Sequence, residues 1–165
     1  MSKTGLRSMW GSLVSTFALV TLSLAISLFY YDPALAIRSR NYTNSEFRTL
    51  LRSLGYQVDL GETLNDTASK RAIREFQEQN KLSVDGTVNS QTQDLAADLI
   101  VNLQNNLNVV VQPDPPLPNN EFYGPRTEAA IREFQRRFLL PETGIASLEV
   151  RQKLNQEARN VSGYK

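Results

Sequence analysis

The sequence predicts an all-α fold: two tandem three-helix bundles that can share one long central helix. Three observations point to it. The hexapeptide AIREFQ occurs at Ala72–Gln77 and again at Ala130–Gln135, and Leu82 with Leu140 and Gly86 with Gly144 keep that same offset of 58 residues. Internal periodicity of this length marks a duplicated supersecondary unit. Within each copy, apolar residues recur at helical spacing. Between the copies, nothing from Thr87 to Gln112 is Gly or Pro.

The elements follow in order. Phe47, Leu50, Leu51 and Leu54 fall at i, i+3, i+4 and i+7, one face of a helix. Thr43-x-x-Glu46 has capping-box spacing at its start, and Gly55 sits where a left-handed residue would stop it. A second helix opens near Asp66, a good N-cap, and carries Ile73 and Phe76 inward. Leu82, Val84 and Val88 are expected to pack around an Asp85-Gly86 turn. The third helix starts near Asn89 or Ser90, with Leu95, Leu99 and Leu103 as its stripe.

Leu95, Ala96, Leu99, Ile100, Leu103 and Leu107 hold helical spacing throughout, which favours one helix running from the first copy into the second. The alternative is a break in the Asn-rich stretch Asn102–Asn108, since asparagine is a poor helix former. Upstream of the second hexapeptide, Leu51–Tyr56 (LRSLGY) corresponds best to Leu103–Val109 (LQNNLNV), and the insertion is the segment QPDPPLPNN, Gln112–Asn120. Its prolines exclude helix and favour an extended surface loop. Gly124-Pro125 opens the middle helix of the second copy, which buries Ile131, Phe134 and Phe138. The last helix starts at Ser147 and buries Val150, Leu154 and Ala158. Three segments result: a leader at 1–36, a first copy at 43–101 and a second at 102–160.

The leader is read from its pattern. Lys3 and Arg7 precede an apolar run from Leu13 to Phe29, and Ala34-Leu35-Ala36 offers a small-residue cleavage site. This reads as a secretory signal cut after Ala36. An uncleaved anchor is the alternative, because the run approaches the roughly 20 residues that a bilayer span needs. Only that alternative would make the membrane a partner.

Removing 36 of the 165 residues takes away Lys3, Arg7 and Asp32, so 18 basic and 17 acidic residues become 16 and 16. A neutral chain lacks the basic excess that nucleic acid requires, and none is expected as a partner. The chain has no Cys and no His. Those absences exclude Ser-His-Asp and Cys-His nucleophiles and ordinary zinc sites. No metal motif and no cofactor motif appears. Two carboxylates could in principle hydrolyse a glycosidic bond, but the acids lie on helix surfaces beside basic residues, as in Arg74-Glu75 and Arg132-Glu133. No catalytic residue is expected, and the chain reads as a binding protein, not an enzyme.

The stretch Tyr123-Gly124-Pro125-Arg126-Thr127-Glu128-Ala129-Ala130-Ile131-Arg132-Glu133-Phe134-Gln135 resembles the F-G-P-x-T-x-x-A-V-x-x-F-Q signature of the peptidoglycan-binding-like domain family. Leu51–Tyr56, Ala72–Gln77 and Leu82–Val88, the last resembling the family's G-L-x-V-D-G-x-V turn, carry the likeness into the first copy. The resemblance implies a three-helix bundle per copy and non-catalytic binding of peptidoglycan outside the cytoplasmic membrane, in periplasm or cell wall. The first copy departs from it, with Asn65-Asp66-Thr67-Ala68-Ser69 in place of F-G-P-x-T. The second has Pro141-Glu142-Thr143-Gly144 in place of V-D-G.

Peptidoglycan offers sugar faces, acetamido groups and carboxylate-bearing peptides, so a receptor wants aromatic platforms, amides and an Arg fork. The expected binding residues are Tyr56, Arg74 and Gln77 in the first copy, and Phe122, Tyr123, Arg126, Arg132 and Gln135 in the second. The tyrosines and Phe122 could equally cap the small cores. The alternative ligand is another envelope protein, held by a pair that keeps the fold without binding the wall. The triplets at Asn41, Asn65 and Asn160 fit the glycosylation pattern, which recurs often by chance.

Overall fold

The computed structural model describes residues 38–163. The leader expected at 1–36 lies outside them. Among the described residues there are five helices and no strand: α1 (Asn44–Ser53), α2 (Thr67–Gln79), α3 (Ser90–Val110), α4 (Pro125–Arg137) and α5 (Leu148–Ser162). None is long and apolar enough to cross a membrane.

Helix starts are set by local chemistry. Thr43 and Glu46 form a reciprocal capping box on α1, with the Thr43 amide donating to Glu46 Oε2 at 2.8 Å and the Glu46 amide to Thr43 Oγ1 at 3.2 Å. Asp66, Asn89 and Ser147 each accept an amide from the residue three further on, capping α2, α3 and α5. Gly124 offers no side chain, and Pro125 at the first helical position pre-sets the turn of α4 instead. Gly55, at φ +97°, follows the end of α1.

α3 is one unbroken helix of 21 residues that serves both copies, and the point between residues 101 and 102 falls inside it. Two of its asparagines have tertiary work that offsets their weak propensity. Asn108 Nδ2 donates to Leu117 O at 3.1 Å and its Oδ1 accepts the Leu117 amide at 2.7 Å, while Asn106 Nδ2 donates to Asn155 Oδ1 on α5 at 2.7 Å. Leu117, only 3% exposed, thereby pins the Pro-rich loop to the core.

One apolar cluster runs through all five helices: Phe47 and Leu51 from α1, Ile73 and Phe76 from α2, Ile100 and Leu107 from α3, Ile131 and Phe134 from α4, and Leu154 from α5. Sharing a core matters because a ~60-residue domain alone buries only about 60% of its unfolded surface. Two expectations need correction. Val84 is half exposed, because the Asp85-Gly86 turn carries it outward; only Leu82 and Val88 lean on the core. The upstream register of the repeat is also different. Arg48 Nη1 donates to Ser69 Oγ at 2.7 Å, 21 residues on, and Gln104 Nε2 donates to Thr127 Oγ1 at 3.1 Å, 23 residues on. The Tyr56 amide reaches Leu51 O as the Gln112 amide reaches Leu107 O. Leu51 therefore corresponds to Leu107, not Leu103, and the second copy is only two residues longer here.

Candidate functional site

The repeated hexapeptide ends on a glutamine whose position on the buried face of α2 or α4 dictates its use. Gln77 is 0% exposed and Gln135 is 1%. A buried amide must satisfy two donors and an acceptor or lose stability. Gln77 Oε1 accepts the Gly86 amide at 2.9 Å, and its Nε2 donates to Asp85 Oδ1, Thr87 O and Thr92 Oγ1 at 2.8, 2.9 and 3.2 Å. Gln135 repeats this: its Oε1 accepts the Gly144 amide at 2.9 Å and its Nε2 donates to Thr143 Oγ1 and Ile145 O, both at 3.0 Å. Each glutamine clamps the turn that follows its helix. Neither presents its amide to solvent, and both hold the loop.

Gly86 and Gly144 complete the clamps at φ +74° and +71°, the left-handed region that suits glycine. Arg74 lies over Gly86 and Arg132 over Gly144; a Cβ added to either glycine would meet Arg74 Nε at 2.9 Å or Arg132 Nε at 3.0 Å. Arg132 is anchored, with Nη1 donating to Glu142 O and Nη2 to Glu128 Oε1, each at 2.7 Å. The Tyr123 hydroxyl donates to Gly144 O, and burial pushes its pKa up. Tyr123, Arg132 and Gln135 therefore converge on one turn.

The other expected residues lie elsewhere. Tyr56 is 6% exposed, packs edge-on against Phe76 and donates to Gln79 Oε1 at 2.8 Å. Arg126 Nη2 donates to the carbonyls of Pro115 and Pro116, bracing the Pro-rich loop. Phe122 meets Tyr42 edge-on at 6.0 Å, with the Arg40 guanidinium 5.0 Å from its centroid. Here residues 38–42 strap the two copies together: Ser39 donates to Glu121 Oε1 from its amide at 3.1 Å and from its hydroxyl, the Tyr42 hydroxyl donates to Glu121 O, and Arg38 pairs with Asp94 at 3.1 Å. Burial works to raise the Glu121 carboxyl, yet the bonds from Ser39 outweigh it and leave its pKa lowered.

A recess of about 480 Å³ contains none of the expected residues. It lies between α3 and α5, with Asn80 at the end of α2 on its rim. Asn102, Asn106, Arg151, Asn155 and Arg159 are among its polar lining, beside Leu99, Leu103 and Leu148. The signal that could have revealed it is a substitution inside the repeat: at the offset of 58, Gln93 of the first copy stands over Arg151 of the second. Among the described residues, no group of three or more acidic side chains is placed to hold a metal ion.

Two copies of one small helical unit, each closed by the same glutamine–glycine clamp and joined through a shared helix, define a tandem helical-bundle protein. The family described as "Putative peptidoglycan binding domain" matches residues 45–95 and again 97–154. The chain belongs to that family. No curated protein and no solved structure gives a match.

Proposed function

We propose that the chain is an exported, non-catalytic protein that holds peptidoglycan. The observation that carries this reading is the double family match, which spans both copies. The lack of His and Cys supports the non-catalytic part, because it removes the usual nucleophile–base systems. The N-terminal charge and apolar pattern supports export. Of the expected binding residues, Phe122, Tyr123, Arg126 and Arg132 keep partial exposure or a surface guanidinium and stay candidates for wall contact; Arg74 does too.

The test is co-sedimentation of residues 38–163 with purified insoluble peptidoglycan. Saturable pelleting is expected, with no soluble fragments released from the wall. A protein that stays in the supernatant at every concentration would overturn the wall reading, and release of soluble fragments would overturn the non-catalytic one. Recovery of the full chain from the cytosol with residues 1–36 intact would overturn export.

A further inference from the structure

Arg151 is 8% exposed, and a buried cation is costly unless an anion or several acceptors compensate it. Its Nη1 donates to Leu54 O at 3.0 Å and Ala146 O at 2.6 Å, and the Tyr56 hydroxyl is its other polar neighbour. Leu54 is the C-cap residue of α1, and its carbonyl lies at a helix end that offers a partial negative charge of roughly half an electron. No carboxylate lies within 4 Å of Arg151 among the described residues. Burial accordingly lowers its pKa.

The first copy shows that the turn itself can be held without a charge. At the equivalent position Gln93, also 8% exposed, donates from Nε2 to Val88 O at 3.2 Å, just as Arg151 donates to Ala146 O. A neutral amide holds that turn. The second copy puts a cation in the same place, on the wall of the α3–α5 recess.

The rest of the recess fits a particular ligand chemistry. Asn106 Nδ2 donates to Asn155 Oδ1 at 2.7 Å and Asn80 Nδ2 to Phe76 O at 2.7 Å, which leaves Asn106 Oδ1, Asn155 Nδ2 and the whole amide of Asn102 as acceptor and donors for a peptide group. Leu99, Leu103 and Leu148, also in the lining, suit small apolar side chains. Arg159 adds a second guanidinium with no carboxylate within 4 Å. The lining contains no carboxylate and no aromatic ring. Without an aromatic platform, sugar faces have nothing to stack on; with two unpaired arginines, a carboxylate has a seat.

Building on the wall-binding reading, we propose that the α3–α5 recess takes the peptide part of peptidoglycan, a short peptide with a free carboxylate, and does not take the glycan. Arg151 and Arg159 receive the carboxylate and the asparagines read the peptide groups. Because α2, α3 and α5 all contribute, the site belongs to the pair and to neither copy alone.

The test uses ¹⁵N-labelled residues 38–163 titrated with two probes: soluble stem peptides, and glycan strands from which the peptides have been stripped. Stem peptide is expected to shift the signals of Asn102, Asn106, Arg151 and Asn155, and glycan strands to leave them unmoved. Arg159→Gln, at an exposed position, is expected to weaken stem-peptide binding about threefold, and Arg151→Gln about tenfold, equivalent to about 1.4 kcal/mol. Arg151→Gln keeps the Ala146 bond but loses the one to Leu54 O, so its binding is compared per folded molecule, while Arg159→Gln, at an exposed position, is expected to weaken binding with an unchanged unfolding midpoint. Shifts confined to the Tyr123–Arg132 turn, or shifts produced by glycan strands in the recess, would overturn the proposal while wall binding stands. Peptide shifts in the recess without any sedimentation on intact wall would uphold the recess and overturn the wall reading.

Discussion

The two copies solve the same folding problem with different chemistry. In the first, the fixed points are charged: Glu46 closes the box on α1, Asp66 caps α2, Asp85 anchors the turn, and Arg48 is buried among acceptors. In the second, their counterparts are neutral: Pro125 opens α4, Thr143 takes the place of Asp85, and Gln104 takes that of Arg48. At Gln93 and Arg151 the order is reversed at a buried position. What the difference teaches is that the geometry of the unit, a clamped turn and a bridged entrance to its middle helix, is the constant. Charge at each point is free to vary, so a charge that appears without structural need invites a functional explanation.

The comparison can be strained first at the buried bridge. Arg48, 6% exposed, donates to Asp59 O, Thr63 O, Asp66 and Ser69. Arg48→Ala is expected to cost about 3 kcal/mol, since it leaves buried acceptors unmet. Gln104→Ala is expected to cost about 2 kcal/mol for the neutral counterpart. Urea midpoints of the two variants compare them; a larger loss for Gln104 would mean that the charged bridge is the weaker one.

The clamps come next. Gln77→Ala and Gln135→Ala are each expected to cost about 2 kcal/mol, with Gln77 the larger because it serves four groups where Gln135 serves three. Wall binding per folded molecule should be unchanged. A variant that unfolds at the wild-type midpoint but no longer binds would return these residues to the ligand. Gly86→Ala and Gly144→Ala should each lose about 1 kcal/mol from the left-handed backbone, with Arg74 moving aside in the first and Glu128 and Arg132 in the second. Thermal melts would show whether the copies respond alike.

Acid should separate the copies most subtly. The Thr87 amide and then Gln77 hold the Asp85 carboxyl at about 2, and the Arg40 side chain with the Thr43 amide holds Glu46 at about 2. Bonds from Ser69 lower Asp66 as well. A carboxyl whose folded pKa lies below its unfolded value of about 4 stabilises the fold fully above that value and stops doing so as pH falls toward 2. Amide protection factors in α1 and α2, corrected for intrinsic exchange, should therefore fall between about pH 4 and pH 2, ahead of α4. Asp85→Thr, which copies Thr143, should flatten part of that dependence.

Much of this architecture was legible. Helix starts were visible because caps are local: Thr43 with Glu46, Asp66 and Ser147 act within three residues. The continuity of α3 was foreshadowed by the lack of Gly and Pro, but what steadies its asparagines, Leu117 and Asn155, is distant in sequence. The glutamines were harder. A polar residue beside an apolar stripe reads equally as rim or core, and only the return of Gly86 and Gly144 over Gln77 and Gln135 shows that they are buried. The recess could not be seen from periodicity, because it depends on α5 lying along α3.

All of this depends on α3 acting as one rod through both copies. Native-state hydrogen exchange along Ser90–Val110 tests that most directly. Amides from Ile100 to Leu107 should open only together, with the free energy of global unfolding. A step in protection within Asn102–Asn108, with the two halves of α3 exchanging at separate levels, would contradict it.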